Sequence, residues 1–281
     1  MSSDSPVFTL GHSPDPDDAF MFYAMAEHKI DLRGYRFEHR LEDIQTLNER
    51  AQRGELHISA ISIHAYAYVS QEYALLPCGA SMGDGYGPMI VAPNERPIDD
   101  LARCTIAIPG TMTSAFLALR LSLKSDFKYV VVPFDQIFEA VQAGRADCGL
   151  IIHEGQLTYA QAGFRKIVDL GEWWKNETGL PLPLGGNVLR KDIPPPVRRD
   201  LLEIMHESIA YGLAHRDEAV RHSMPYARDM DATLASKFIG MYVNDYTLDY
   251  GETGRKAIRE FLGAAEKRGF LAQNVELEFV S

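Results

Sequence analysis

Apolar positions in the N-terminal part of the chain follow two periods, one typical of strands and one typical of helices. Residues 6–13 form a short apolar run that ends in a polar loop, and apolar residues then recur at helical spacing over 19–28. Apolar and polar residues alternate over 35–41, which predicts a second strand, and 43–53 predicts a helix that ends at Gly54. This succession of strand, loop and helix indicates an α/β protein.

A helix, a glycine and a buried strand followed by polar residues occur twice, about ninety residues apart. The first copy leads to Ser62. The second has a helix over 135–143, a strand over 148–152 and then His153. Ligands of open α/β sheets bind at the carboxyl ends of the strands, so we expect each copy to contribute one lobe to a shared crevice. The alternative is that the similarity of the two copies reflects only the common α/β pattern.

Two segments rich in glycine or proline, 79–93 and 178–190, lie on either side of the second copy. Two crossings are what a lobe inserted into another lobe requires, and 281 residues suit two lobes of ordinary size. We therefore predict a discontinuous larger lobe, residues 1–91 and 187–281, and an inserted smaller lobe, residues 92–186. The C-terminal part is dominated by helix patterns, and we expect these helices to pack on the first lobe.

Composition narrows the class of protein. With 46% hydrophobic and 24% charged residues the chain is globular, and its net charge of −11 argues against a nucleic-acid-binding surface. The N-terminus lacks the basic and apolar regions of a secretory signal, and no apolar run is long enough to span a membrane, so we expect a cytoplasmic protein. The widely spaced cysteines, which suggest buried apolar positions rather than disulfides or a zinc site, are Cys78, Cys104 and Cys148.

One candidate binding site is the start of a helix within 108–121. A Pro-Gly turn there is followed by Thr111, Thr113 and Ser114. Free N–H groups at a helix N-terminus, together with hydroxyl groups, suit a carboxylate ligand. The alternative is that a threonine or serine only caps the helix.

Two further candidates follow buried strands. His153 comes after an apolar run, and a neutral imidazole there can accept a proton, although a structural histidine is the alternative. Ser62 follows Ala60 and Ile61, and its hydroxyl could donate a hydrogen bond to a ligand. The sequence has no nucleotide-binding, serine-hydrolase or metal-ligand motif, so no cofactor and no metal are expected.

The loop GHSPDPDD (11–18) precedes the first helix. Its prolines stiffen the chain, and Asp15, Asp17 or Asp18 can cap the helix. A carboxylate that accepts N–H bonds at a helix start should stay ionised, which makes it a poor general acid. The alternative is that the loop provides a hydrogen-bond acceptor for a ligand hydroxyl.

Several long motifs resemble the 1,4-dihydroxy-6-naphthoate synthase family, which acts in the futalosine pathway of menaquinone biosynthesis. The likeness extends over most of the chain. It is carried by SPDPDDAFMFYA (13–24), LEDIQTLNERAQRGEL (41–56), GPMIVA (87–92), GLIIHE (149–154), TY (158–159), VDLGEWWKNETGLPLPLG (168–185) and YVNDYTLDYGETG (242–254).

The resemblance implies a two-lobed type II periplasmic-binding-protein-like fold, with two crossing strands and a ligand cleft between the lobes. It implies a carbon–carbon lyase that converts cyclic dehypoxanthinyl futalosine to 1,4-dihydroxy-6-naphthoate with loss of dihydroxyacetone. The histidine of the IIHE segment, His153, would be the proton acceptor. Ser62, Thr113 and Ser114 would contact the substrate, a small aryl carboxylate.

The chain departs from the family pattern at four positions. Asp15 stands where the family usually has a cysteine, Asp17 where it has an asparagine, Ala19 where it has a threonine, and Ala60 where it often has a lysine. These changes should weaken binding of an anionic aryl carboxylate, so Asp15, Asp17, Ala60 and Ile61 join the candidate substrate contacts. Two alternatives follow, a solute-binding protein of a transporter and a diverged enzyme that acts on another aryl carboxylate. The oligomeric state stays open.

Overall fold

The structure is a computed structural model that describes residues 5–123, 125–228, 230–271 and 275–281. Its α-helices are α1 Pro16–Ala26, α2 Ile44–Gln52, α3 Ile63–Val69, α4 Ser114–Ser122, α5 Ile137–Gln142, α6 Gly155–Thr158, α7 Leu170–Thr178, α8 Pro195–Ala214, α9 Arg216–Ser223, α10 Ala232–Tyr242, α11 Asp245–Leu248 and α12 Gly251–Lys267. Short 3₁₀ helices occupy Ile98–Arg103, Phe134–Gln136 and Met224–Tyr226.

The strands confirm the α/β class. They are β1 Val7–His12, β2 Arg36–Leu41, β3 Ile58–Ser62, β4 Tyr73–Leu75, β5 Ser81–Gly83, β6 Met89–Ala92, β7 Thr105–Ile108, β8 Lys128–Val131, β9 Cys148–Ile151, β10 Arg165–Asp169 and β11 Leu182–Arg190. The predicted strand at 35–41 and helix at 43–53 are present as β2 and α2. The first helix begins earlier than predicted, because Pro16 suits the first helical position.

The chain forms two compact units. Unit 1 comprises residues 1–81, 185–255 and 275–281, and unit 2 comprises residues 82–184 and 256–274. Strands β5 and β11 each carry the chain from one unit to the other, which agrees with the predicted pair of crossing strands. The chain also passes from unit 1 to unit 2 within α12.

The contacts of three segments differ from the sequence-based lobe assignment. Residues 82–91 and 256–274 group with unit 2, although they were predicted in the larger lobe, and residues 185–186 group with unit 1, although they were predicted in the inserted lobe. The predicted lobe boundaries, at residues 91/92 and 186/187, stay a prediction. The expectation that the C-terminal helices pack on the first lobe is wrong for most of α12, where Phe261 packs edge-on against Trp174 of unit 2. Helical periodicity shows which face of α12 is buried but not which element covers it.

Unit 1 is built on a mixed sheet in the order β2-β1-β3-β11-β4. β1 runs parallel to β2 and β3, and β11 runs antiparallel to β3 and β4. Every residue of β3 is buried, as expected for an apolar strand at the centre of a sheet. Helix α1 packs against α8 and α9, and its nearly all-round apolar surface is buried in the same core.

Unit 2 is built on a second sheet in the order β10-β6-β9-β7-β8. β9 lies between β6, to which it is antiparallel, and β7, to which it is parallel. Helix α5 covers this sheet through Ile137, Ala140 and Val141, so the predicted helix, glycine and strand of the second copy are present. Within the described part of the chain, no helix is both long and apolar enough to cross a membrane.

Candidate functional site

The loop between β1 and α1 in unit 1 is closed by two hydrogen bonds from Ser13. Its backbone N–H donates to Asp18 Oδ2 at 2.6 Å, and its hydroxyl donates to Asp15 Oδ2 at 2.6 Å. Asp15 occupies the N-cap position of α1 with extended backbone angles, but its side chain accepts no N–H bond of that helix. The predicted capping role is therefore wrong for Asp15. The Asp15 carboxylate accepts hydrogen bonds from other donors instead, among them the Ser13 hydroxyl.

One of those donors is Arg228, which follows the short 3₁₀ helix at Met224–Tyr226. Its Nη2 lies 3.1 Å from Asp15 Oδ1. The Asp15 side chain is only 6% exposed, so the nearby cation offsets part of the electrostatic cost of burying that charge. Arg228 has a φ of 47°, in the left-handed region that is uncommon for residues other than glycine. The negative charge that Asp15 adds relative to the family pattern is thus paired within the same unit.

Burial shifts the pKa of a second loop carboxylate. Burial, and next the charge of the half-buried Asp17, raises the pKa of Asp18 well above its usual range. This shift opposes the expectation that the loop carboxylates stay ionised. A side chain near a helix start can accept an N–H bond and still have its charged form disfavoured by burial.

His12, at the end of β1, is buried beside this loop. Its Nδ1 lies 3.1 Å from the Ser13 carbonyl oxygen, which can only accept, so Nδ1 carries a proton. Its Nε2 lies 3.0 Å from His39 Nδ1 and accepts from it. Burial, and next the proximity of His39, lowers the pKa of His12 to about 4. The His12 ring is therefore neutral at physiological pH.

Ser62 ends β3 and is held by Asn48 of α2. Asn48 Nδ2 donates to Ser62 Oγ at 3.0 Å, and the Ser62 backbone N–H donates to Asn48 Oδ1 at 2.9 Å. Both residues are buried. Because the Ser62 oxygen acts as the acceptor in this pair, the hydroxyl proton is not used by Asn48 and can be donated to a ligand oxygen.

The other candidates on β3 have apolar surroundings. Ala60 packs with Leu47 and Leu56, and Ile61 is fully buried and lies opposite Gly186 of β11. His64 lies within α3, is buried, and has Nε2 at 3.3 Å from the Tyr68 hydroxyl.

In unit 2, His153 lies between β9 and α6. Its side chain is half-buried, and its ring meets the Phe134 ring edge-on at a centroid distance of 4.1 Å. Its backbone carbonyl accepts the N–H of Gln156 at 2.9 Å. An aromatic neighbour in this geometry restricts the orientation of the imidazole. The predicted position at the carboxyl end of a buried strand is confirmed.

Thr113 and Ser114 begin α4, and both hydroxyls donate to backbone carbonyls. Thr113 Oγ1 donates to Gly110 at 2.9 Å and accepts the N–H of Phe116 at 3.1 Å, so Thr113 is an N-cap. Ser114 Oγ donates to the carbonyl of Leu184 at 2.5 Å. Capping, one of the two interpretations left open by the sequence, is thus confirmed for Thr113. The cap occupies the N–H of Phe116, one of the donors of the first turn.

Sequence patterns did not predict three residues that contact the candidate side chains. They are Asn48, Arg228 and Phe134. Asn48 carries a signal in hindsight, because it is a polar residue beside Leu47 on the buried face of an amphipathic helix. No local sequence pattern marks Arg228 or Phe134, because each contacts a residue that only the fold brings near.

Comparison with solved structures identifies the fold. A crystal structure of a protein from Archaeoglobus fulgidus has a TM-score of 0.90 and 43% sequence identity, and the match covers 96% of this chain and 100% of that one. The alkanesulfonate-binding protein of Xanthomonas axonopodis, solved bound to MOPS, has a TM-score of 0.71 at 11% identity, with 98% and 97% covered. The second likeness shows the fold alone, and it confirms the two-lobed periplasmic-binding-protein-like class.

Comparison with characterised sequences identifies the family. The 1,4-dihydroxy-6-naphthoate synthase of Thermus thermophilus is 38% identical over 271 residues, covering 96% of this chain and 98% of that protein. The enzyme of the same name from Streptomyces coelicolor is 35% identical over 277 residues, with 96% of each chain covered. A family model described as menaquinone biosynthesis matches residues 8–267. The chain therefore belongs to the menaquinone-biosynthesis family.

Proposed function

We propose that this chain is a 1,4-dihydroxy-6-naphthoate synthase. The reaction is the carbon–carbon lyase step that converts cyclic dehypoxanthinyl futalosine to 1,4-dihydroxy-6-naphthoate and dihydroxyacetone. The observation that carries the proposal is the match, over nearly the full length of both proteins, to two relatives that bear this name. The position of a histidine after the central strand of unit 2 supports it.

His153 is the proton acceptor of the proposed reaction. It abstracts a proton from the bound spirocycle, the sugar-derived carbons then separate as dihydroxyacetone, and formation of the aromatic naphthalene ring favours this direction. A neutral imidazole is suited to this task near neutral pH. The Phe134 ring, edge-on at 4.1 Å, supports the role because it limits the orientations of the imidazole.

Ser62 contacts the substrate as a hydrogen-bond donor. Asn48 donates to its oxygen at 3.0 Å, which orients the hydroxyl and leaves its proton for a substrate oxygen. A polar donor held in one orientation before the substrate arrives reduces the entropy lost on binding.

Thr113 and Ser114 contribute to the site through the start of α4. Their hydroxyl protons are donated to Gly110 and Leu184, which supports a role for the backbone N–H groups rather than for the hydroxyls as donors. N–H groups at the start of a helix favour an anion such as the substrate carboxylate.

Asp15, Asp17, Ala60 and Ile61 are the positions at which substrate preference would differ from that of the relatives. The pairing of Asp15 with Arg228 at 3.1 Å supports retention of an aryl carboxylate substrate, because it balances the added charge. Ala60 and Ile61 provide apolar surface and no charge.

The test is a direct turnover assay of purified protein with cyclic dehypoxanthinyl futalosine, in which naphthoate and dihydroxyacetone are both measured. We expect the two products in equal amounts, and a kcat at least about 10²-fold lower for His153→Gln with binding retained. His206→Gln, an exposed histidine on α8, is the matched control and should keep full activity. Absence of both products with wild-type protein would overturn the proposal.

A second candidate function is solute binding without turnover. The fold likeness to an alkanesulfonate-binding protein favours it. Binding of an aryl carboxylate with no product formed, and with equal affinity in wild type and His153→Gln, would support this candidate. Turnover of a different aryl carboxylate would instead identify a diverged enzyme.

A further inference from the structure

Strand β11 carries two adjacent glycines, Gly185 and Gly186, and both belong to unit 1. A Cβ atom on Gly186 would lie 2.6 Å from the Tyr250 hydroxyl oxygen, a separation that real Cβ atoms do not show. A Cβ atom on Gly185 would lie 3.6 Å from the Ile61 carbonyl oxygen and 3.8 Å from the Cβ of Ser81, which are ordinary van der Waals distances. The protein therefore excludes a side chain at position 186 but has room for one at position 185.

This room distinguishes Gly185 from the other strand glycines of the described chain. They include Gly11, Gly83 and Gly149, and a Cβ atom on each of these would lie closer than 3.0 Å to a neighbouring atom. The φ of Gly185 is also outside the left-handed region, so its backbone does not require glycine. Glycine weakens the interior of a strand, and it often marks a place where a ligand approaches the backbone closely. Neither packing nor backbone conformation within the described residues accounts for glycine at this position.

The open position lies beside the proposed substrate donor Ser62. Gly185 is directly opposite Ser62 in the antiparallel pair of β11 and β3. Side chains of opposite residues stand next to each other, with Cβ atoms about 5 Å apart. The Ser62 hydroxyl proton is not used by Asn48, which donates to the same oxygen at 3.0 Å. Gly185 is only half-buried, so a ligand can reach the space next to this hydroxyl.

A second hydroxyl lies near the same space. Ser81 begins β5, which also pairs with β11, and its Cβ is the side-chain atom nearest to the Cβ position of Gly185. Ser81 is half-buried, and its hydroxyl makes no hydrogen bond to the residues that the structure describes. A serine hydroxyl has one proton to donate and two lone pairs. Ser62 and Ser81, on two strands that pair with β11, therefore both have a proton for a ligand oxygen near Gly185.

We propose that Gly185 is a specificity-determining residue, which leaves room for the substrate beside the Ser62 hydroxyl, and that Ser81 is a second hydrogen-bond donor to it. This inference rests on the proposed function. A dihydroxynaphthoate carries a carboxylate and two hydroxyl groups, so it has oxygens for both serines. A flat ring can approach the backbone at a glycine more closely than at any other residue, because glycine has no Cβ.

The test measures turnover of cyclic dehypoxanthinyl futalosine and, separately, binding of 1,4-dihydroxy-6-naphthoate by isothermal titration calorimetry. Gly185→Val should raise KM and the naphthoate Kd by about tenfold or more, because its side chain fills the space. Gly185→Ala should raise both by a smaller factor. Ser81→Ala should raise both by about fivefold, through loss of one hydrogen bond. In all three variants kcat should change less than KM, and the melting temperature should stay close to that of the wild type.

Two further glycine variants are the controls. Gly263→Ala in α12 adds a Cβ with no neighbouring atom within 4 Å, and it should leave KM and the naphthoate Kd unchanged. Gly186→Ala should lower the melting temperature, because its Cβ meets the Tyr250 hydroxyl. Gly185→Ala introduces only ordinary contacts, so it keeps the test decisive if the valine variant fails to fold.

The two measurements separate this inference from the proposed function. Turnover by the wild type with unchanged KM and Kd in the Gly185 variants would overturn the inference and leave the proposed function standing. Naphthoate binding that weakens in the Gly185 variants, without turnover by the wild type, would support the inference and overturn the proposed reaction. Absence of both turnover and naphthoate binding in the wild type would overturn both.

Discussion

Asn48 and Ser62 bind each other through two hydrogen bonds, of 3.0 Å from the amide Nδ2 to the hydroxyl oxygen and of 2.9 Å from the Ser62 N–H to Oδ1. The pair connects the buried face of α2 to the end of β3. One side chain thereby satisfies a backbone donor of the strand and also sets the direction of the hydroxyl that is proposed to contact the substrate.

Asn48→Ala should lower both stability and substrate affinity. Loss of the amide leaves the buried Ser62 N–H without its acceptor, so we expect the free energy of unfolding to fall by about 1–3 kcal/mol. KM should rise because the hydroxyl is no longer oriented. Urea denaturation and steady-state kinetics measure the two effects. Glu49→Ala, on the exposed side of α2, is the control and should change stability by less than about 0.5 kcal/mol. An unchanged KM in Asn48→Ala would contradict the orienting role.

The ion pair between Asp15 and Arg228 should show energetic coupling. Arg228→Met leaves the buried Asp15 carboxylate without its cation, whereas Asp15→Asn together with Arg228→Met removes both charges. Since the Arg228 side chain is 28% exposed, we expect a coupling energy of about 1–2 kcal/mol rather than the larger value of a fully buried pair. A double-mutant cycle in urea measures it. Strictly additive single-variant effects would argue against the pair.

His12 should make stability depend on pH. Its pKa is lowered in the folded state from 6.5 to about 4, chiefly by burial, so the unfolded chain binds more protons between these values. The free energy of unfolding therefore falls as the pH is lowered from 6.5 to 4, by up to about 3 kcal/mol.

Asp18 acts in the opposite direction, because a raised pKa in the folded state makes its contribution less favourable as the pH rises above 3.8. The wild-type profile contains both effects, and the difference between wild type and His12→Asn isolates the histidine. Urea unfolding at several pH values in this window measures that difference. Parallel profiles for the two proteins would contradict the assignment.

Thr113→Ala should destabilise the protein through the start of α4. The Thr113 hydroxyl caps the N–H of Phe116 at 3.1 Å, so its loss should cost about 1 kcal/mol. Thr113→Ser keeps the hydroxyl and should retain most of that stability. Thermal unfolding of the two variants side by side provides the comparison. Equal melting temperatures for Thr113→Ala and wild type would show that the cap contributes nothing measurable.

Local patterns predicted much of the fold. The strand at 35–41, the helix at 43–53 and the buried strand before His153 follow from periodicity, because the spacing of apolar residues is a property of neighbouring positions. The resemblance of the IIHE and WW…LPLG segments led to the family that the comparisons confirm. The surroundings of the loop at 11–18 were beyond such patterns, since proximity of Ser13, Asp15 and Asp18 along the chain does not reveal which donor each carboxylate meets.

The sequence by itself determined the α/β class, the family, and the placement of His153 after a buried strand, because each depends on short-range spacing or on a contiguous motif. Only the tertiary structure decided that Arg228 pairs with Asp15, 213 residues away, that Asn48 orients Ser62, and that α12 packs with Trp174. It also decided the pKa shifts of Asp18 and His12, because the free energy of a charge depends on the solvent and dipoles around it, and folding brings these from distant parts of the chain.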